Sequence, residues 1–261
     1  MARIALGIEY DGTDFIGWQI QQTGRSIEGA LAEAVGRVAG EPVTVHGSGR
    51  TDAGVHAVEQ VAHFESAAAR TPRQWLLGIN SNLPPDVAVR WVREVPPDFD
   101  ARRSALSRRY RYTVLQQPAR SALLRRRVWW VRRPLDYAAM TDASLAWLGE
   151  HDFSAFRGAG CQAKSPMRRL ISVRVGHRTS DGGALVEFEF VANAFLMHMV
   201  RNLVGTLVAI GVGDLAPSEA ARILSSRDRK AAGVTAPPGG LALVAVRYPA
   251  RFELPQQGRE P

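Results

Sequence analysis

Nine consecutive residues, Gly49-Arg50-Thr51-Asp52-Ala53-Gly54-Val55-His56-Ala57, set one carboxylate between an arginine and a histidine in a glycine-hinged turn. Those residue types in that order make a catalytic arrangement and not a packing one. Alternating apolar runs at 43–45 and 60–64 flank the segment, so it is expected to be an exposed connection between two strands, where chemistry is commonly carried. A P-loop would need Lys after Gly54 and the chain has Val55; a dinucleotide fingerprint from Gly47 would need glycine or alanine where Asp52 stands. The alternative is a structural turn in which Asp52 merely caps backbone amides.

Arg201 is the second residue whose placement asks for a reason. It lies among Met197, Val200, Leu203, Val204 and Val208 on an apolar helix expected over 196–210. An unpaired buried guanidinium costs several kcal/mol. Arg201 therefore either forms a solvent edge with Asn202 or meets an interior carboxylate. Asp52 is the attractive partner, since an arginine beside it would orient it without a metal.

Tyr110 stands in Arg108-Arg109-Tyr110-Arg111-Tyr112, an alternation that puts the tyrosines on one strand face and the arginines on the other. The tyrosines are either core or a platform for a splayed base beside its phosphates. The six histidines show no metal-ligand spacing, so no metal is expected. Asp11 and Asp14 would be the second acid if Asp52 worked in a nucleosidase or glycoside hydrolase, although their Gly and Thr neighbours read as a turn.

The elements that must position these residues follow from periodicity. Ile4, Leu6, Ile8 and Tyr10 mark one face of an opening strand. Ser26 caps a helix whose stripe runs from Ile27 to Val38 and which Gly40 ends. Strands are expected at 43–48 and 60–65, a helix from Thr71-Pro72 to before Pro84-Pro85, and a strand with Val87, Val89 and Trp91 on one face. That order, βαββαβ, is the ferredoxin-like arrangement. It recurs with a strand at 109–115, a helix at 137–148, strands at 170–177 and 185–191, the helix at 196–210 and a strand at 241–248, with a short extra helix at 217–226. The expected fold is α+β, two ferredoxin-like halves with mixed or antiparallel sheets forming a central cleft. Residues 1–104 are the half carrying RNA contacts and the catalytic loop, 105–250 the half completing the site, and 251–261 a flexible tail.

Composition bounds the function. A net charge of +8 points to a polyanionic partner, nucleic acid first. Lys164 and Lys230 are the only lysines, and the arginines cluster: 102, 103, 108, 109 and 111, then 125–127, then 132 and 133. The alternative to a phosphate-binding surface here is a solvated basic face. A lone Cys161 excludes an intrachain disulfide. With neither a membrane-length apolar run nor a signal-like start, the expected location is the cytoplasm.

Together, Tyr10-Asp11-Gly12-Thr13-Asp14-Phe15-Ile16-Gly17-Trp18-Gln19, the 49–57 block, Arg108-Arg109-Tyr110-Arg111-Tyr112, His151-Asp152-Phe153-Ser154-Ala155-Phe156 and Phe195-Leu196-Met197-His198-Met199-Val200-Arg201-Asn202 resemble the successive signatures of the tRNA pseudouridine synthase A family. The resemblance implies an isomerase without cofactor or metal that converts uridine to pseudouridine at positions 38, 39 and 40 of the tRNA anticodon stem-loop. It also implies a homodimer gripping tRNA with both subunits. By it Asp52 is the catalytic aspartate, Arg201 its ion-pair partner, Tyr110 the residue stacking on the target base, and Arg50 a phosphate contact. Asp52 would attack C1′, attack C6 or remove a sugar proton; the residues leave all three open. An RNA-binding module without catalysis and the hydrolase using Asp11 or Asp14 are the other readings.

Overall fold

The computed structural model describes residues 1–180 and 182–255. The chain splits into two compact units, Met1–Arg108 joined by the segment from Leu243 on, and Arg109–Ala242.

In the first unit β1 (Ala2–Tyr10) pairs antiparallel with both β3 (His56–Ser66) and β4 (Val87–Val95), and β2 (His46–Gly47) pairs antiparallel with β3. The order β4-β1-β3-β2 is that of the ferredoxin-like arrangement. Ile4, Leu6, Ile8 and Tyr10 are all buried, as their alternation requires. They share a face with Phe64, whose ring meets Trp75 edge-on at 5.1 Å and so seats helix α2 (Pro72–Asn82) on that face. Helix α1 (Ile27–Ala39) is capped by Ser26, which accepts from Gly29 N–H, and closed by Gly40 in the left-handed region at φ 77°. Thr71 and Gln74 form a reciprocal capping box on α2.

Two bulges modify the expected pattern. Ile8 pairs with Val89 but Gly7 pairs with Trp91, so Arg90 is extra and Trp91 crosses to the opposite face from Val89. There its indole lies over Gly7, where a Cβ would come within 1.9 Å of Nε1. A second bulge, between Ile8/Gln60 and Tyr10/Ala57, falls on β3 just after the glycine-hinged segment. The strand expected at 43–48 shortens to His46–Gly47; beyond it Ser48 N–H donates to Val61 O at 2.7 Å and the Gln60 side chain donates to Gly49 O at 2.9 Å.

In the second unit the order is β5 (Ser107–Gln116), β9 (Gly183–Ala192), β8 (Met167–Ser180), β7 (Gly149–Asp152), with β6 (Trp129–Val131) parallel to β5. The order β5-β9-β8 repeats β1-β3-β2 of the first unit. Helices α3 (Tyr137–Leu145), α4 (Met199–Gly211) and α5 (Glu219–Ser226) enclose a core in which Trp147, Phe153, Phe156, Phe188 and Phe190 are fully buried. Strands β6 and β7 are absent from the sequence expectation.

Beside the expected division at 104/105 and 250/251, the two compact units part at 108/109 and 242/243. Strand β10 (Leu241–Arg247) lies beside β3, and Leu106 N–H donates to Arg247 O at 2.8 Å. Phe252, 3% exposed on a 3₁₀ turn at Ala250–Phe252, packs edge-on against the buried Phe99. An aromatic anchor thus holds the start of the expected flexible tail 251–261; its remainder from 256 lies outside the described residues. No helix among the described residues is long and apolar enough to cross a membrane.

Candidate active site

The loop carrying Asp52 is built by the end of β1 and the segment after it. Tyr10, last residue of β1, shares a hydrogen bond of 2.8 Å with the Thr51 hydroxyl. Burial pushes the Tyr10 phenol up to about 12 against the opposing pull of its Thr51 and Gln60 hydrogen bonds, so it stays neutral and keeps its proton. The chain then folds back as a strap. Thr51 O accepts from Trp18 N–H at 3.0 Å, Phe15 O accepts from Gly54 N–H at 3.3 Å, and Gly17 bridges Asp52. Gly17 is required: its φ is +112°, and a Cβ would stand 2.6 Å from Thr51 O.

On the other side, Gln60 holds Ser48 and the Gly49 carbonyl, while Arg108, 9% exposed, donates to Ser48 O and Arg102 O at 2.8 Å each. Asp52 O accepts from Val55 N–H at 3.1 Å. The nine residues are therefore less exposed than expected. Thr51, Val55, His56 and Ala57 are buried, the last two inside β3; Arg50 is exposed and Asp52 half-buried. The backbone on both sides of Asp52 is fixed, and Asp52 is half-buried between the exposed Arg50 and Ala53.

The strap also uses its own acid. Asp11 Oδ1 accepts from Thr13 N–H and Oγ1 at 3.0 and 2.6 Å, an Asx turn, and lies 3.1 Å from His56 Nδ1, which accepts from Gly12 N–H at 3.1 Å. Asp11 thus serves the turn, as its neighbours suggested, and Asp14 is exposed.

Tyr110 and Arg201 belong to the second unit. Tyr110 is 9% exposed and meets Phe195 edge-on at 5.0 Å, just before α4, whose first turns carry Arg201. Arg201 Nε donates to Ala236 O at 2.7 Å, and Arg201 O accepts from Ala236 N–H at 3.1 Å. The reading of Arg201 and Asn202 as a solvent edge fails at Asn202, which is 0% exposed. Its amide donates to Phe156 O, and its oxygen accepts from Arg229 and Thr235 at 2.9 and 2.7 Å. This network fixes the 232–236 loop and hence the carbonyl that orients Arg201.

The structure brings Arg50 and Asp52 together in one loop and Tyr110 and Phe195 together beside α4. It reassigns others. Tyr112 is fully buried and donates to Pro237 O at 2.7 Å, so it is core. Arg108 is a structural tether, and Arg111 pairs with Glu189 at 2.8 Å. Tyr10 and Gln60 had a signal, polar groups on buried strand positions beside the motif, and Thr51 lies within it; Arg229 and Thr235 lie in a segment with no periodicity to mark them. Among the described residues no three His, Cys, Asp or Glu cluster as metal ligands do.

The family model described as tRNA pseudouridine synthase matches residues 7–102 and 143–249. A tRNA pseudouridine synthase A of Coxiella burnetii is 48% identical over 256 residues, covering 98% of this chain and 97% of that protein. Proteins of the same name are 50% identical in Alcanivorax borkumensis, over 98% of this chain and 95% of theirs, and in Methylococcus capsulatus, over 97% and 92%.

Proposed function

The chain belongs to the tRNA pseudouridine synthase family and isomerises uridine to pseudouridine in tRNA, and we propose that it acts at positions 38, 39 and 40 of the anticodon stem-loop with Asp52 as its catalytic carboxylate. In the reaction the C1′–N1 bond breaks, the uracil turns in place, C5 joins C1′, and the C5 proton leaves while N1 gains one. Atoms balance without an oxidant or reductant. What the reaction needs from the protein is a carboxylate held at the sugar or the base and a pocket that keeps the detached uracil.

The observation that carries the reading is the clamped loop: the half-buried Asp52 stands between backbone segments fixed by Tyr10, the 12–18 strap and Gln60. Arg201, oriented by Ala236 O, supplies its counter-charge. Tyr110, braced edge-on by Phe195, stacks on the target base, and the exposed Arg50 holds a phosphate of the flipped nucleotide. The protein works in the cytoplasm as a homodimer on one tRNA.

Tritium at uracil C5 of a tRNA transcript reports the reaction directly. The parent releases it to water; Asp52→Ala releases none while binding the same tRNA. Release by the variant would remove Asp52 from the chemistry, and free uracil among the products would favour the hydrolase. Binding by the parent without release, on tRNAs with uridine at 38–40, would favour the RNA-binding module.

A further inference from the structure

The twelve residues 117–128 between β5 and β6 form a largely exposed loop that the chemistry of Asp52 does not use. Its base is closed by the parallel pairing of Val114, Leu115 and Gln116 with Trp129, Trp130 and Val131, and by the Trp130 indole, which donates to Gln117 O at 2.9 Å. Its tip is ordered from within. The Ser121 hydroxyl accepts from Leu124 N–H at 3.1 Å, Arg125 donates to Ala122 O at 3.0 Å, and Leu124 O accepts from Arg127 N–H at 2.8 Å. The loop rests on Gly239, where a Cβ would meet Arg126 O at 3.0 Å.

These turns display Leu123, 93% exposed and the most exposed large apolar side chain among the described residues. A single exposed leucine is ordinary on a surface. This one stands within residues 117–133, which hold no acid and six arginines, at 120, 125, 126, 127, 132 and 133, of which Arg133 is paired with Asp214. Such a tip repels its own copy and attracts a polyanion. An apolar side chain presented among phosphate-binding groups suits insertion between stacked bases.

We propose that Leu123 is an apolar wedge that enters the base stack of the tRNA while the surrounding arginines hold its phosphates. The inference rests on tRNA being the substrate. Leu123 buries nothing in the protein, so Leu123→Ala is expected to fold and melt like the parent. It should bind tRNA about ten-fold more weakly, as loss of one buried leucine predicts, with the same slope of affinity against salt. Leu123→Met should bind like the parent. Anticodon stem-loops each carrying one 2-aminopurine should brighten at one position with the parent and not with Leu123→Ala.

Parent-like affinity of Leu123→Ala, or no position that brightens, overturns the wedge. A changed sedimentation coefficient for Leu123→Ala also overturns it and assigns the tip to a second copy of the chain. Tritium release by the parent, measured on the same tRNA, shows separately whether the synthase reading holds.

Discussion

At the residue scale, Asp52 is legible as a candidate because its type, its glycine hinges and its arginine neighbour are all local in sequence. What holds it was less so. Tyr10 reads as the last apolar position of a strand, and only the fold shows that its hydroxyl ends on Thr51. Tyr10→Phe strips Thr51, 6% exposed, of that partner, a loss of roughly 1–3 kcal/mol. If the bond positions the loop, kcat falls about ten-fold with the KM for tRNA unchanged. Thr51→Val should show the same defect, Thr51→Ser should restore the parent rate, and the double variant Tyr10→Phe/Thr51→Val should be no worse than either single one. A parent-like kcat for folded Tyr10→Phe, with only its Tm lowered, would make the pair a folding contact only. Glu59, on the bulge of β3, is a residue that the sequence left unmarked. It is 5% exposed, and its Oε2 and the Trp91 Nε1 are buried without a well-formed hydrogen bond, the indole N–H standing only near the carboxyl. Burial pushes its carboxyl up to about 7, against the weaker opposing effects of the nearby Trp91 N–H and Arg90. Below the ordinary carboxylate range the group is neutral folded and unfolded. As pH rises from there towards 7 the unfolded chain releases a proton that the folded chain keeps, so stability falls through that window. Glu59→Gln removes the titration. Its Tm should exceed the parent's by a margin that grows between about pH 4 and pH 8; a constant margin would show that Glu59 titrates normally.

At the element scale, the long elements were legible and the short ones were not. Helices α1 and α2 announced themselves by caps, Ser26 with Gly40 and Thr71 with Pro72, because capping chemistry lies within a few residues of the helix it ends. Strands β6 and β7 span three and four residues, too few for a period to show. Trp91 was expected beside Val87 and Val89, and the extra Arg90 sends it to the other face; a bulge depends on the partner strand's register, which no single strand's pattern contains. The strap after β1 shows the same limit. Its glycines read as a turn, and its role as a brace on the 49–57 loop emerges only from Gly17 meeting Asp52. Gly17→Ala tests that role. The new Cβ meets Thr51 O at 2.6 Å, and the φ of +112° is one that alanine rarely adopts, so strap and loop must separate. Turnover should fall at least ten-fold, more than the loss in the Tyr10→Phe variant, while far-ultraviolet circular dichroism keeps the parent's signal. Parent-like turnover would mean that the loop holds its shape without the strap.

At the scale of the whole molecule, charge is the property that composition states most plainly and locates least well. The net +8 and the arginine clusters predicted a polyanion, and the relatives named for tRNA agree. Yet the count overstates what phosphates can use. Arg25 pairs with Asp86, Arg90 with Glu9, Arg111 with Glu189, Arg133 with Asp214 and Arg251 with Asp98, while Arg108 is buried as a tether. Pairing of this kind is set by which strands neighbour one another: it takes Arg108 and Arg111 from the 102–111 cluster and Arg133 from the 125–133 cluster. The salt dependence of tRNA binding separates them. Each phosphate neutralised releases counter-ions, and the logarithm of affinity falls linearly with the logarithm of salt. Replacing Arg125, Arg126 and Arg127 by glutamine should reduce that slope by about three, roughly one per phosphate contact, and raise KM with kcat at saturating tRNA unchanged. Arg111→Gln and Arg25→Gln, whose charges already face carboxylates, should leave the slope at the parent's value. A slope lowered equally by all three changes would mean that the protein meets tRNA through its net field, with no defined surface among the 125–133 arginines.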